Sequence, residues 1–410
     1  MRILILTQWY LPEPAHLISE LAESLQAAGH EVTVLTGFPN YPAGRLYPGY
    51  RLRWYQRENI NGVPVIRVPL YPEHGKSAVR RVLNYLSFAL SAALLGPWLA
   101  PRVDVIHVYH PPGTVGWPAW VLSRLKRVPF IYNIQDMWPE TLAATKMLNS
   151  RLALWIVGWY AKWVYRRAAA IHVISPGFRD NLLGKGVPDG KIRVISNWVD
   201  TELYRPVPPD PQLAQKHGLA GRFNVMYAGN IGQAQGLAVV LEAAELLADL
   251  PDLQFVLVGD GADLERLKAV TQERRLDNVK FLGSFAIEEM SGLYALSDVL
   301  LLHLRDDPLF RITIPHKIFA YLASGKPVLA AMAGDAANVV QASQAGLRCR
   351  PGDPQAMAET VRRLHGMPAC QRQEMADNGR RAALRQYAKE YLVGKMIEML
   401  AAVVHQPPVP

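Results

Sequence analysis

The sequence predicts an α/β fold of two successive doubly wound domains, each a parallel sheet covered by helices on both faces. Three observations predict it: short β-branched and aliphatic runs recur along the chain, helix-compatible segments separate them, and the pattern stops once and restarts at Phe223. At 410 residues the chain is long enough for two cores of ordinary size. With 50% hydrophobic and 19% charged residues, disorder, a collagen-like repeat and a coiled coil are excluded.

MRILILTQW opens as a buried strand, and LISELAESLQAAGHEVTVLTGFP continues as an amphipathic helix, a cap at Gly29 and a second strand. The unit recurs through DVIHVYH (104 to 110), PFIYNIQD (129 to 136) and AAIHVIS (169 to 175), so the first half reads as a parallel sheet. In NWVDTELYRPVPPDPQL the composition turns to Pro and Asp, which places a first domain at 1–203 and a linker at 204–221. A second Rossmann-like domain, 222–384, follows with strands in FNVMYAGN, QFVLVGDG, VKFLGSF, DVLLLHL and KPVLAAM. A last helical pattern runs from 373 to 404, and 385–410 is assigned to a C-terminal helix and tail ending in PPVP.

Lys and Arg number 44 and Asp and Glu 35, a net charge of +9 that favours an anionic partner: a phosphorylated ligand, a membrane surface or a nucleic acid. Without a recognised binding module or a long basic run, nucleic acid is set aside. The two cysteines, Cys349 and Cys370, stand in a chain without a signal-peptide layout, so a reduced, cytoplasmic setting is expected. Neither a Cys-x-x-Cys pair nor a His-x-x-x-His helix is present, and no metal site is expected.

Two segments bear on membranes. VLNYLSFALSAALLGPWLA follows Arg80 and Arg81 but is interrupted by Asn84, Ser87, Ser91 and Pro97, which makes it marginal as a spanning helix of about 20 apolar residues. RLALWIVGWYAKWVYRRAAA interleaves Trp155, Trp159, Tyr160, Trp163 and Tyr165 with Lys162, Arg166 and Arg167, as an interfacial helix would. The pair reads either as buried helices of the first domain or as a peripheral membrane contact; a spanning anchor is the weakest of the three readings.

Open α/β sheets bind ligands outside the carboxyl ends of their strands, and two such domains make a cleft between those ends. In the second domain Gly229-Asn230-Ile231-Gly232 and Gly259-Asp260-Gly261 follow strands, and Gly283 closes VKFLG. These turns present free backbone N–H groups to a phosphate, or are simply tight strand-to-helix connections. Arg305, Arg311 and Lys317 lie in one segment that opens a helix and suits a diphosphate; the alternative is a solvated basic edge. In the first domain His110 ends its strand before Pro111-Pro112-Gly113, while His107, three residues earlier, faces the opposite side. Asp136, Trp138 and Glu140 follow the next strand, where carboxylates and an aromatic face suit a sugar; Asp136 alternatively caps the following helix. Asn197 and Trp198 either meet a ligand or pack the hinge.

PHKIFAYLASGKPVLA resembles the Pro-Ser-Lys, helix, Ala-x-Gly-x-Pro-Val signature of glycosyltransferase family 4, the retaining GT-B enzymes. GHEVTVLTGFPNYPAG, YNIQDMWPE, VISNWVD, YAGNIGQAQGL, LVGDG and KFLG follow that family's order nearly end to end. The subgroup they resemble builds bacterial surface polysaccharides and includes the N-acetylfucosamine transferases of O-antigen synthesis. The resemblance implies a nucleotide-sugar donor, UDP-linked, in the second domain and an acceptor held mainly by the first. It also implies a final helix crossing back to the first domain, no metal cofactor, a catalytic-region histidine at His110, and a front-face displacement in which the donor phosphate takes the acceptor proton.

The chain departs from that family where its pair of glutamates falls on Ile312 and Ala320, and where its diphosphate-binding Arg and Lys fall on Asn230 and Gln235. Arg305, Arg311 and Lys317 are therefore expected to take the diphosphate, with Asp306 or Asp307 in place of a missing sugar contact. The first loop carries Pro12-Glu13-Pro14-Ala15-His16 instead of a glycine pair. The expected function is transfer of a hexosyl or N-acetylhexosaminyl group to a polyprenyl-diphosphate-linked saccharide at the inner face of the cell membrane. The alternatives are a silent GT-B subunit that binds nucleotide and a GT-B sugar-nucleotide epimerase. A dinucleotide oxidoreductase is excluded because the first strand-to-helix turn lacks Gly-x-Gly-x-x-Gly.

Overall fold

The computed structural model describes residues 1–75, 77–145 and 147–406. These form two compact units, Met1–Ser196 with Val393–Pro410, and Asn197–Leu392. The first unit is built on β1 (Arg2–Leu6), β2 (Glu31–Gly37), β3 (Gln56–Ile60), β4 (Val63–Val68), β5 (Val105–His110), β6 (Phe130–Ile134), β7 (Ala170–Val173) and β8 (Ile192–Val194). Their order in the sheet is β3-β4-β2-β1-β5-β6-β7-β8. Ile3, Leu4, Ile5 and Leu6 are fully buried, as a strand covered on both faces requires.

The sheet departs from the wholly parallel one expected, because β3 runs antiparallel to β4. Asn61 and Gly62 join the two strands with φ of 51° and 86°, the left-handed pair that a two-residue hairpin turn needs. Edge strand β3 alternates half-buried and exposed residues, so it lacks the continuous apolar run that marks strands such as β1 and β5.

The loop after β1 is held by charges rather than by small residues. Glu13, 1% exposed, accepts N–H groups of Tyr10 (3.1 Å), Asn40 (2.8 Å) and Tyr41 (2.8 Å), yet burial still pushes its carboxyl up to about 7. Arg67 on β4 is fully buried; it donates to the Gly37 carbonyl at 2.9 Å, to the Leu11 carbonyl and to Glu58, and lies over the Tyr50 ring.

Five helices of this unit matter below: α1 (His16–Ala27), α2 (Ala78–Leu99), α3 (Gly116–Lys126), α4 (Glu140–Ala144) and α5 (Arg151–Arg167). The reading of α2 and α5 as buried helices does not hold. α2 buries Tyr85, Phe88 and Ala92 but exposes Leu83, Leu86, Leu90 and Leu94, and α5 exposes Leu152, Trp155, Ile156 and Trp159. Among the described residues α2 is the one helix long and apolar enough to cross a membrane.

The second unit carries β9 (Phe223–Ala228), β10 (Leu253–Val258), β11 (Val279–Gly283), β12 (Val299–His303), β13 (Val328–Ala331) and β14 (Gly346–Cys349), all parallel, in the order β11-β10-β9-β12-β13-β14. Alternate residues fill two cores, one on each face: Met226, Val256 and Leu300 in one, Val225, Phe255 and Leu301 in the other. Strand order reverses once in each sheet, between β1 and β5 and between β9 and β12, and it is outside the carboxyl ends at such a point that these folds bind ligands.

The helical pattern from 373 to 404 is not one helix. Ala369–Ala382 runs into a wide turn, Ala383–Tyr387, and a new helix, Lys389–Val404, begins after the extended Ala388. The reason is a competing partner: the Tyr387 carbonyl accepts the Val199 N–H at 2.9 Å, and Val199 pairs with Ala388. Replacing Arg67 with Met would leave Glu58 and two buried carbonyls without their cation. Arg67→Met should therefore destabilise the first unit by about 3 kcal/mol, read from the denaturant midpoint of its unfolding transition.

Candidate functional site

At the carboxyl edge of the second sheet the turns after β9, β10 and β11 converge on a cavity of about 460 Å³. Gly229 and Asn230, then Gly259 and Asp260, then Ser284 and Phe285 contribute to its wall, with His316, Lys317 and Ala320 opposite in sequence. Two glycines make this convergence possible. A Cβ on Gly259 (φ +131°) would sit 2.0 Å from the Gly229 carbonyl oxygen, and one on Gly229 (φ +138°) would sit 2.5 Å from Lys317 Nζ. Further along the same turn, the Ile231 N–H donates to the Asp260 carbonyl at 2.8 Å. Gly283 contributes through its backbone, its carbonyl accepting the Gly259 N–H at 2.8 Å.

Lys317 is the one lysine or arginine among the described residues lining this cavity. Its Nζ donates to the Tyr227 hydroxyl at 2.6 Å and lies 3.9 Å from that ring's centroid, while the hydroxyl donates to the Asn230 carbonyl at 2.7 Å. Among the described residues no carboxylate forms an ion pair with it, and burial pushes the ammonium down to about 7. A ligand that brings negative charge would restore it. Asn230 and Gln235 tie the turn together instead of supplying charge: Asn230 Nδ2 donates to Gln235 Oε1 at 3.2 Å, and that oxygen also accepts the Gly232 N–H at 3.1 Å.

The structure does not bring the three expected cations to one cavity. Arg305 lines a separate cavity of about 440 Å³ with His303, Asp263 and Arg266, and its backbone N–H is spent on the Ala234 carbonyl at 3.1 Å. Arg311 forms a two-bond ion pair with Asp306 (2.8 and 2.9 Å) at the surface. The cause is local: Asp307 caps the short helix Pro308–Ile312, accepting the Leu309 N–H at 2.9 Å, and that helix carries Arg311 out to Asp306. Asp306 and Asp307 are thereby both occupied. The carboxylate in the Lys317 cavity is Asp260, passed over because Gly-Asp-Gly reads equally well as a plain turn. Ala320, where the resemblance leads to a glutamate, lines the cavity with a methyl group. His316 also lies there, its Nε2 donating to the Trp198 carbonyl at 2.8 Å, which gives buried Trp198 a packing role.

In the first unit His110 ends β5 beside the reversal of strand order, 2% exposed, with the Trp138 ring edge-on at 5.4 Å and Tyr132 at 5.8 Å. Burial pushes its imidazole down to about 3, so at neutral pH it carries no charge and can give one hydrogen bond and accept another. His107 is fully buried in the core as its strand parity requires. Asp136 is half-buried, and burial raises its carboxyl above the ordinary range. It does not cap the next helix, since α4 begins after Pro139 without a side-chain cap. Glu140 pairs with Lys185 at 2.6 Å and accepts from Asn181 at 3.4 Å, both through Oε1. Trp138 instead lines an apolar cavity with residues of α2, α3, α4 and α5. Among the described residues no group of three His, Cys, Asp or Glu side chains is placed to hold a metal ion.

Residues 14–198 match the model of the glycosyl transferase 4-like domain, and residues 222–366 match that of glycosyl transferases group 1. WcaI of Escherichia coli K12, named for colanic acid biosynthesis, is 28% identical over 73% of this chain and 75% of its own length. WbjE of Pseudomonas aeruginosa, named as a glycosyltransferase, is 26% identical over 56% of this chain and 58% of its own. Among solved structures, HepE of Anabaena in complex with UDP and glucose superposes with a TM-score of 0.72 at 20% identity, covering 98% of this chain and 100% of that one. WaaG, a glycosyltransferase of lipopolysaccharide biosynthesis, gives 0.66 at 17% identity over 97% and 99%. At these identities the structural likeness establishes the fold, two Rossmann-like domains of the GT-B kind. Because the turns after β9 and β10 touch through backbone, Gly259→Ala should separate them and cost the second unit about 1–3 kcal/mol, seen as a lower thermal midpoint for that unit.

Proposed function

We propose that this glycosyltransferase, a 4-like domain followed by a group 1 domain, moves a hexosyl or N-acetylhexosaminyl group from a UDP-sugar to a lipid-linked saccharide in the synthesis of a surface polysaccharide. Transfer retains the anomeric configuration: the acceptor hydroxyl oxygen bonds to the anomeric carbon, the bond to the diphosphate breaks on the same face, and a diphosphate oxygen takes the proton. The second unit holds the donor and the first the acceptor, with His110 and Asp136 near the acceptor hydroxyl. The enzyme works in the cytoplasm, attached to the inner face of the membrane through the apolar rows of α2 and α5.

The observation that carries the reading is Lys317, a lysine short of a counter-charge in a cavity walled by three backbone turns. Such a cavity suits the diphosphate of a nucleotide sugar, whose charge grows as the leaving group departs. The naming of WcaI for colanic acid biosynthesis supports a role in polysaccharide synthesis, and the UDP bound to HepE supports the nucleotide. A lysine ammonium takes here the place of the divalent cation that balances the diphosphate charge in other transferases, so transfer should persist in excess EDTA.

The deciding experiment supplies purified protein with a panel of UDP-sugars and membrane-extracted lipid-linked saccharides and follows released UDP. Release that requires one donor and the lipid fraction supports the reading; tight nucleotide binding without release under any acceptor replaces it with a silent subunit. Lys317→Met should weaken UDP binding by about 1.5–3 kcal/mol.

Lys317 also sets a pH dependence. Its pKa in the free protein is about 7, and a bound diphosphate raises it, so binding above that pH takes up a proton. UDP affinity should accordingly fall by up to about tenfold per pH unit from roughly pH 7 to 9. Calorimetry in buffers of different ionisation heat reads the proton directly, and Lys317→Arg, always charged, should abolish the uptake.

A further inference from the structure

The first unit holds a cavity of about 550 Å³ among α2, α3, α4 and α5, walled by side chains such as Leu86, Trp117, Leu142, Ile156 and Trp159. Its size is that of a ligand pocket, but its wall offers almost nothing to a sugar or a peptide, whose polar groups would go unpaired. The surface leading to it is apolar as well. Leu83, Leu90 and Leu94 on α2 and Leu152 and Trp155 on α5 are between 50 and 67% exposed. Neither helix contains an acidic residue, while α2 carries Arg80 and Arg81 and α5 carries Arg151, Lys162, Arg166 and Arg167. Apolar surface with cations and no acids is the complement of an anionic lipid.

Two side chains narrow the occupant. Arg81 is the one charged residue lining the cavity among those described, and its Nε is buried without a hydrogen-bond partner among them. An unmade guanidinium bond in an apolar wall is costly, and a phosphate oxygen would satisfy it. Trp138 lines the same cavity and sets its ring edge against His110, so a chain lying there has its head group beside the end of β5. One cavity accepts one hydrocarbon chain, whereas a diacyl lipid would leave its second chain outside. We propose that this cavity holds the isoprene units nearest the head of a polyprenyl-diphosphate acceptor, with Arg81 paired to the diphosphate. The proposal rests on the lipid-linked acceptor reading and assigns it a place in the chain.

The test uses the full-length protein and geranylgeranyl diphosphate bearing a diazirine, photolysed and mapped by mass spectrometry. Label should fall on α2, α5 or the segment from Trp138 to Leu148, and unlabelled geranylgeranyl diphosphate should displace it while phosphatidylglycerol vesicles do not. Leu86 and Ile156 are 51% and 50% exposed, so Leu86→Glu and Ile156→Glu should keep the thermal midpoint and the UDP affinity. Both should cut labelling by about tenfold or more. Arg81→Met should do the same, with partial recovery in Arg81→Lys.

Equal displacement by phosphatidylglycerol would overturn the prenyl occupant in favour of a membrane lipid. Undiminished labelling in both glutamate variants would overturn the cavity as its place. If wild-type protein labels here yet transfers sugar to no lipid-linked saccharide, the cavity stands and the acceptor reading falls; transfer to such saccharides without label here removes the cavity alone.

Discussion

Burying a lysine without a counter-charge at the carboxyl edge of β9 is the constraint around which the candidate site of the second unit is arranged. The Lys317 ammonium has one hydroxyl, one aromatic face and two glycine turns for company, and none of these replaces the water it has lost. The turns come this close only because Gly229 and Gly259 lack side chains. A site built in this way is short of negative charge, the condition that an anionic group would relieve.

The first unit solves a different problem. Its loops after β1 and β2 are pinned by buried charges, Glu13 under three backbone N–H groups and Arg67 across two carbonyls and Glu58. Burial keeps His110 neutral, which suits it to positioning a hydroxyl and not to holding a proton. The apolar rows of α2 and α5 stay outside the core because each helix has a second apolar face with no partner in the unit. Both units thus show unsatisfied surface, polar at the strand ends of the second and apolar along α2 and α5 of the first.

Much of this was legible in local sequence. Parallel strands buried on both faces announce themselves as unbroken apolar runs, which is why β9, β10, β12 and β13 were found, whereas β3, half-exposed at an edge, was not, although Asn61-Gly62 marked its hairpin. The break at Ala388 escaped notice because its cause is Val199, far away in the chain. Likewise Glu13 looked like a mere departure from a glycine-rich loop until the N–H groups of Asn40 and Tyr41 were placed on it.

Two doubly wound α/β domains, the glycine turns at their strand ends and the candidacy of His110 and Lys317 can be read from the chain alone, because each is written in periodicity or in residues adjacent along it. Which cations share a cavity follows from packing. Arg305, Arg311 and Lys317 are near neighbours in sequence, yet one capped helical turn commits Arg311 to Asp306, the strand end turns Arg305 to another cavity, and Lys317 alone stands among the turns. Electrostatic roles depend on distance and desolvation, and both are set by packing between segments far apart in the chain.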